Sequence, residues 1–127
     1  MNMPIVIYAR YGDAEEDTYV FSKPTECLVG SAPDCTIRVL ESGPTAAISH
    51  NHCLIEIDTN YIWLTDLGSK TGTYLNNRRI KSSKEVLEPV KNGDVIRAGK
   101  LELVIMVEEH ATVEDLDTAD TKTNWIN

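Results

Sequence analysis

Short β-rich runs, each ended by a turn signal within a few residues, leave this chain few architectures to adopt. Ile5–Ala9, Thr18–Phe21, Glu26–Val29 and Thr36–Val39 read as strands, followed by Cys53–Ile57 and Tyr61–Thr65. Thr73–Leu75, Val86–Leu87, Asp94–Ala98 and Leu101–Val107 complete the series. Between them stand Gly12-Asp13, Gly30, Gly43-Pro44, Asp58-Thr59-Asn60, Asn76-Asn77, Asn92-Gly93 and Gly99-Lys100, the residue types that turns require. No window carries a sustained helical period with caps. Alternation supports half-buried strands: Cys53, Ile55 and Ile57 share one face, as do Leu101, Leu103 and Ile105. The turns at Asp58–Asn60 and Gly99–Lys100 are too short for a crossover and predict antiparallel pairs. The pattern is that of an all-β sandwich or barrel.

At 127 residues the chain suits one compact core. Its longest apolar run, Leu103–Val107, is far too short to cross a bilayer as a helix, so no membrane role is expected and the chain reads as soluble and not secreted. Cys27, Cys35 and Cys53 form no C-x-x-C pair and sit in or beside apolar stretches, which predicts small buried side chains in a reducing compartment. The net charge of -8 is uneven. Residues 108–127 hold Glu108, Glu109, Glu114, Asp115, Asp117 and Asp120 against Lys122, six acids less one base, or -5; residues 1–107 carry the remaining -3. Neither part has the basic field that nucleic-acid binding needs. The local cluster Arg78, Arg79, Lys81 and Lys84 reads as a solvated face. The β pattern stops after Val107, so residues 1–107 are expected to form the domain. Residues 108–127 are expected to form an acidic flexible tail or linker, with Trp125-Ile126 as its one docking candidate.

Two stretches carry recognisable spacing. One runs Val29-Gly30-Ser31-Ala32-Pro33-Asp34-Cys35-Thr36-Ile37, then Ile48-Ser49-His50-Asn51-His52. The other runs Asp66-Leu67-Gly68-Ser69-Lys70-Thr71-Gly72-Thr73-Tyr74-Leu75-Asn76, followed by Leu87 and Asn92-Gly93-Asp94-Val95-Ile96. Together they resemble the forkhead-associated (FHA) family, whose pattern reads G-R, S-x-x-H, D-L-G-S-x-N-G-T-x-x-N and a late L-x-x-G-D-x-I. The resemblance implies an eleven-strand antiparallel β-sandwich and recognition of phosphothreonine peptides by loops at one end. Rigidly mounted loops suit that task, because several donors must converge on a dianionic phosphate.

Carried over residue by residue, the resemblance implies a degenerate phosphopeptide pocket at Ser31, Ser49, His50, Lys70, Thr71 and Asn76. Gly30, His52 and Gly72 match as structural motif residues, and Ser49 matches the serine that bonds the phosphate. Ser31 stands where the family has its phosphate-binding arginine. Arginine offers a planar, permanently charged fork, and serine one neutral hydroxyl. Charge-assisted hydrogen bonds contribute about 1.5–3 kcal/mol each, so losing a pair costs on the order of 10²-fold or more in affinity. His50 replaces a lysine or arginine, and histidine holds less positive charge than lysine near neutral pH. Lys70 is the best remaining cation. Thr71 replaces the asparagine that holds the peptide backbone, and Asn77 takes the place of a turn glycine. The Arg38–Ile48 loop is longer than the family usually has, and Gly43–Ala47 is expected to lie across or reshape the pocket mouth.

The segment from Val29 to Ile37 and the lead-in Ile5–Tyr8 are most similar to FHA domains of DNA-damage-response scaffolds. That resemblance implies a nuclear, chromatin-associated, non-catalytic module that homodimerises, with protein partners, some threonine-phosphorylated, and no cofactor. The alternative is a working phosphothreonine reader that relies on Ser49, Lys70 and His50. Three rival readings are weaker. His50-x-His52 lacks a third metal ligand. Ser49 with His52 lacks a nucleophile elbow and an acidic orienter. Gly68–Gly72 lacks the spacing of a phosphate-binding loop.

Overall fold

The computed structural model describes residues 4–41, 43, 45–108 and 122–126, the last group for its backbone. Strands β1 (Ile5–Tyr11), β2 (Asp17–Phe21), β3 (Thr25–Gly30), β4 (Ile37–Arg38), β5 (Cys53–Ile57) and β6 (Ile62–Asp66) form the first half. Strands β7 (Thr73–Leu75), β8 (Arg78–Arg79), β9 (Glu88–Pro89), β10 (Val95–Ala98) and β11 (Leu101–Val107) complete the eleven that the resemblance implies. A twelfth, β12 (Lys122–Ile126), lies within the stretch read as a tail. The rest of that stretch, residues 109–121 and 127, lies outside the described residues.

Two sheets result. One has the order β12-β2-β1-β11-β10-β7-β8 and the other β4-β3-β5-β6-β9. Most pairs are antiparallel, including the expected β5–β6 and β10–β11 hairpins. Two are parallel. In β3–β4, the chain curls through residues 31–36 and returns beside its own strand, with Thr36 N–H on the Leu28 carbonyl at 2.8 Å. In β12–β2, Lys122 stands opposite Asp17 and Ile126 opposite Phe21.

Alternation builds the core. Ile5, Ile7 and Ala9 of β1 and Leu101, Leu103 and Ile105 of β11 face Cys27, Val29, Cys53, Ile55 and Leu64 of the opposite sheet. Cys27 and Cys53 are the small buried side chains expected, whereas Cys35 is only half-buried. Burial pushes the Cys53 thiol up to about 12, with the nearby Asp66 charge adding to the rise.

The sequence pattern missed β8. Arg78 and Arg79 are both exposed, so a two-residue strand there shows no alternation. The Asn76-Asn77 turn sets the pairing instead: both residues have positive φ, 49° and 66°, as a two-residue hairpin with the sheet's own twist requires. Strand β9 falls one residue beyond the Val86–Leu87 run assigned to it.

The strand directions bring the β3–β4, β4–β5, β6–β7 and β10–β11 connections to one end of the sandwich. The β7–β8 turn lies at the other end of β7.

Candidate functional site

Three loops meet at the first of these ends, and backbone hydrogen bonds lock two of them together. Ser31 N–H donates to the Ser49 carbonyl at 3.1 Å and Ala32 N–H to the His50 carbonyl at 3.1 Å. The approach is so close that a Cβ on Gly30 would stand 2.0 Å from the His50 carbonyl oxygen. This contact, rather than an unusual φ, accounts for the glycine. The Cys35 thiol also points to the His50 carbonyl, with Sγ 3.2 Å away.

His52 ties the third loop in. Its Nδ1 accepts the Ser49 N–H at 3.1 Å, so the ring proton must lie on Nε2, which donates to the Gly72 carbonyl at 2.8 Å. Burial lowers the pKa of this fully enclosed imidazole, against the opposite pull of the Gly72 carbonyl and Asp66. Both nitrogens are therefore spent on backbone groups, which disposes of the metal-pair and hydrolase readings together. Among the described residues no group of three or more His, Cys, Asp or Glu side chains is placed to hold a metal ion.

The β6–β7 loop is organised around Asp66, whose residue is 0% exposed. Its Oδ1 accepts the Ser69 hydroxyl at 2.5 Å and the Thr73 hydroxyl at 2.6 Å. Its Oδ2 accepts the Ser82 hydroxyl at 2.7 Å and the N–H groups of Gly68 and Ser69, both at 3.1 Å. Burial by itself would raise the carboxyl pKa. The hydrogen bonds from Ser69, Thr73 and Ser82 outweigh it and bring the value down to about 2. Ser69 Oγ in turn accepts the Gly72 N–H at 3.0 Å, closing the turn. The following residues enter strand β7, where a phosphate-binding loop would need a helix.

The expected pocket residues fare unequally on this frame. Ser31 is only 9% exposed, and its hydroxyl oxygen is buried with no hydrogen-bond partner. Ser49 is half-buried, and its Oγ accepts the Lys70 N–H at 2.9 Å, joining the β4–β5 and β6–β7 loops. His50 and Lys70 are exposed beside it. The Thr71 hydroxyl is committed to the Ala47 carbonyl at 2.6 Å. Asn76 is not brought together with the other five. It sits in the β7–β8 turn, a strand length from Gly72, and its carboxamide bonds Asp94 Oδ1 at 3.0 Å and the Val95 N–H at 2.9 Å. Its role is to hold that turn against β10.

The long loop reaches Thr71 of the β6–β7 connection. Beyond the Thr71 bond, Ala47 packs against Gly99, where a Cβ would come within 3.1 Å of the alanine Cβ. The Glu41 carboxylate accepts the N–H groups of Ala47 and Ile48 and the Tyr11 hydroxyl, with the Ile48 bond at 3.0 Å. Residues 42 and 44 of this loop lie outside the described residues.

Four contributors were not singled out from sequence: Asp66, Glu41, Arg38 and Arg79. Arg38 donates from Nε to the Ser31 carbonyl at 3.1 Å, so one N–H of its exposed guanidinium holds backbone beside Ser31. Arg79 lies over Gly72, where a Cβ would stand 2.6 Å from its Nε. The largely apolar recess of about 250 Å³ is elsewhere, at the opposite end of the sandwich, lined in part by Phe21, Pro24, Tyr61, Trp63 and Val90.

A two-sheet sandwich with interlocked loops at one end defines a class of small domain that presents loops from a rigid scaffold. Residues 27–99 match the sequence profile of the FHA domain, and the chain belongs to that family. No curated protein matches the sequence. Among solved structures, the FHA domain of an Arabidopsis thaliana hypothetical protein aligns with a TM-score of 0.73 at 24% identity, over 87% of this chain and 91% of that one. The FHA domain of a Chlamydia trachomatis protein gives 0.70 at 20% identity, over 85% and 99%. An FHA domain studied for phosphothreonine-dependent interactions gives 0.64 at 25% identity, over 84% and 99%.

Two outcomes follow from this frame. Gly30→Ala forces the β3–β4 and β4–β5 loops apart and is expected to lower the urea midpoint, at a cost of about 1–3 kcal/mol or more for the overpacked contact. Asp66 has a folded pKa of about 2, below its ordinary 3.8. Its contribution to stability is thus present above the ordinary value and lost as pH falls toward 2. Urea midpoints between pH 5 and pH 2 should fall in the native chain, and Asp66→Asn should be less stable at pH 5 with a flatter acid limb.

Proposed function

We propose that the chain is a non-catalytic protein-interaction module of a nuclear, chromatin-associated DNA-damage-response scaffold, acting mainly by homodimerisation, with a degenerate phosphothreonine pocket. One observation carries the pocket half of this reading. The residue in the phosphate-binding arginine's place, Ser31, has its hydroxyl sealed from solvent. The Thr71 hydroxyl, in the position of the peptide-holding asparagine, is spent on the Ala47 carbonyl. Arg38, the nearest arginine in sequence, is engaged with the Ser31 backbone. The scaffold half rests on the resemblance of Val29–Ile37 and Ile5–Tyr8 to the FHA domains of the mediator of DNA damage checkpoint protein and the insect mutator protein. Residues 1–107 are the domain in this reading and residues 108–127 an acidic tail or linker, whose Lys122–Ile126 forms strand β12 at the sheet edge.

A second reading, a phosphothreonine reader that uses Ser49, Lys70 and His50, is favoured by one geometric fact. Ser49 Oγ accepts the Lys70 N–H, so its own proton remains available to a phosphate oxygen. The similar domain studied for phosphothreonine-dependent interactions favours it as well. It has no arginine at position 31 to supply a planar, permanently charged fork. Sedimentation equilibrium of the 127-residue chain at tens of micromolar tests the first reading. A mass twice 14.2 kDa is expected. A single 14.2 kDa species up to a hundred micromolar would sink the homodimer.

A further inference from the structure

The end of the sandwich away from the pocket loops is open. There the recess of about 250 Å³ leads down to Ile5, Phe21, Ile57 and Val90, all members of the buried core. Protein interiors leave few voids larger than a water molecule, so an opening of this size onto the core is apolar surface without a partner. A space of about 150 Å³ already admits a benzene ring. This one therefore takes a single large side chain.

One wall is built in advance. The β5–β6 turn closes with the Asp58 N–H on the Tyr61 carbonyl at 2.8 Å. The Tyr61 ring stacks on Trp63, with centroids 5.7 Å apart and 23° between the planes. Tyr61 is nevertheless 58% exposed. An aromatic pair already fixed by a turn loses little side-chain freedom when a partner covers it. Aromatic anchors in such pockets carry most of the energy at protein interfaces.

The rim supplies charge. Two connections cross between the sheets at this end, β2–β3 and β9–β10, and each brings one lysine to the recess, Lys23 and Lys91. Both are exposed, and neither forms an ion pair with a described residue. Asp58 is the one carboxylate among the described residues of the lining, and its Oδ1 accepts the Thr59 N–H at 2.7 Å. Two lysines less one aspartate leave the rim at +1, on a chain whose net charge is -8. Asn92 Oδ1 accepts the Val107 N–H at 2.8 Å, which leaves the Asn92 NH2 group to donate to a peptide carbonyl.

We propose that this recess docks an unphosphorylated segment of a partner protein in which one aromatic side chain is flanked by acidic residues. The ring fills the apolar floor against Tyr61 and Trp63. The flanking carboxylates meet Lys23 and Lys91, and the Asn92 amide holds the segment's backbone. The site is separate from the phosphothreonine loops and works whether or not they bind phosphate.

The probe is an amidated seven-residue peptide with a central phenylalanine between triplets of glutamate and aspartate. It is titrated into the 127-residue chain while amide resonances are followed. Saturable shifts at Tyr61, Trp63, Val90 and Lys91 are expected, with Ser49 and Lys70 unmoved. Replacing the phenylalanine by alanine, or the acids by lysines, should each weaken binding at least tenfold. Lys23→Glu with Lys91→Glu should do the same, since reversing charge at the rim sets it against the acids. An unchanged urea midpoint shows that this exposed pair leaves the fold intact. If the lysine-flanked peptide binds as tightly as the acidic one, the recess is unselective apolar surface and the proposal is overturned. Shifts confined to the loop end, or none up to millimolar peptide, overturn it as well. Shifts at Tyr61 and Trp63 that appear on concentrating the chain without peptide put a second copy in the recess and also overturn it.

Discussion

The loop end of this sandwich hangs on one buried carboxylate. Asp66 stands at the end of β6 with no exposure, and five hydrogen bonds converge on its two oxygens. A charge so placed is tolerable only because every lone-pair direction is met by a donor. Through Ser69 and Thr73 it shapes the turn that leads into β7, and through Ser82 it reaches the segment after β8. The Gly72 carbonyl so positioned receives His52, and His52 in turn receives Ser49. The geometry of all three loops thus descends from one buried interaction within the chain.

The same interlocking limits what the loops can offer. A phosphate site needs donors that point outward and charges that are not already engaged. Here the Ser31 hydroxyl is enclosed, the Thr71 hydroxyl faces a carbonyl of its own chain, and the Arg38 Nε–H is held by the Ser31 backbone. The extended β4–β5 loop adds to this through Ala47, whose carbonyl takes the Thr71 hydroxyl. The half-buried Ser49 and the exposed His50 and Lys70 side chains lie at this end, and none of them is a bidentate guanidinium.

Much of the scaffold is legible in the sequence because alternation and turn chemistry are local signals. Cys53–Ile57, Thr73–Leu75 and Leu101–Val107 have the same boundaries in the structure as in the sequence pattern. What local signals do not carry is partnership across the chain. Arg78–Arg79 has no buried face to alternate, so only the Asn76-Asn77 backbone reveals its strand. Spacing groups Asn76 with the pocket, although β7 carries it a strand length away from Gly72. The Thr71–Ala47 and Glu41–Ile48 bonds depend on how a long insertion folds, and β12 emerges from an acidic stretch with few apolar residues. Ser31 is readable as a missing arginine, but its enclosure is a fact of packing.

The central claim is that the loop end has given up phosphate recognition, and a phosphopeptide titration followed by amide resonances tests it most directly. Threonine-phosphorylated and unphosphorylated peptide pools are added to the 127-residue chain while the Ser31, Ser49, His50, Lys70 and Thr71 amides are watched. The account predicts small, non-saturating shifts that are alike for both pools up to millimolar peptide. Saturable, phosphate-dependent shifts at Ser49 and Lys70, abolished in Ser49→Ala, would contradict it.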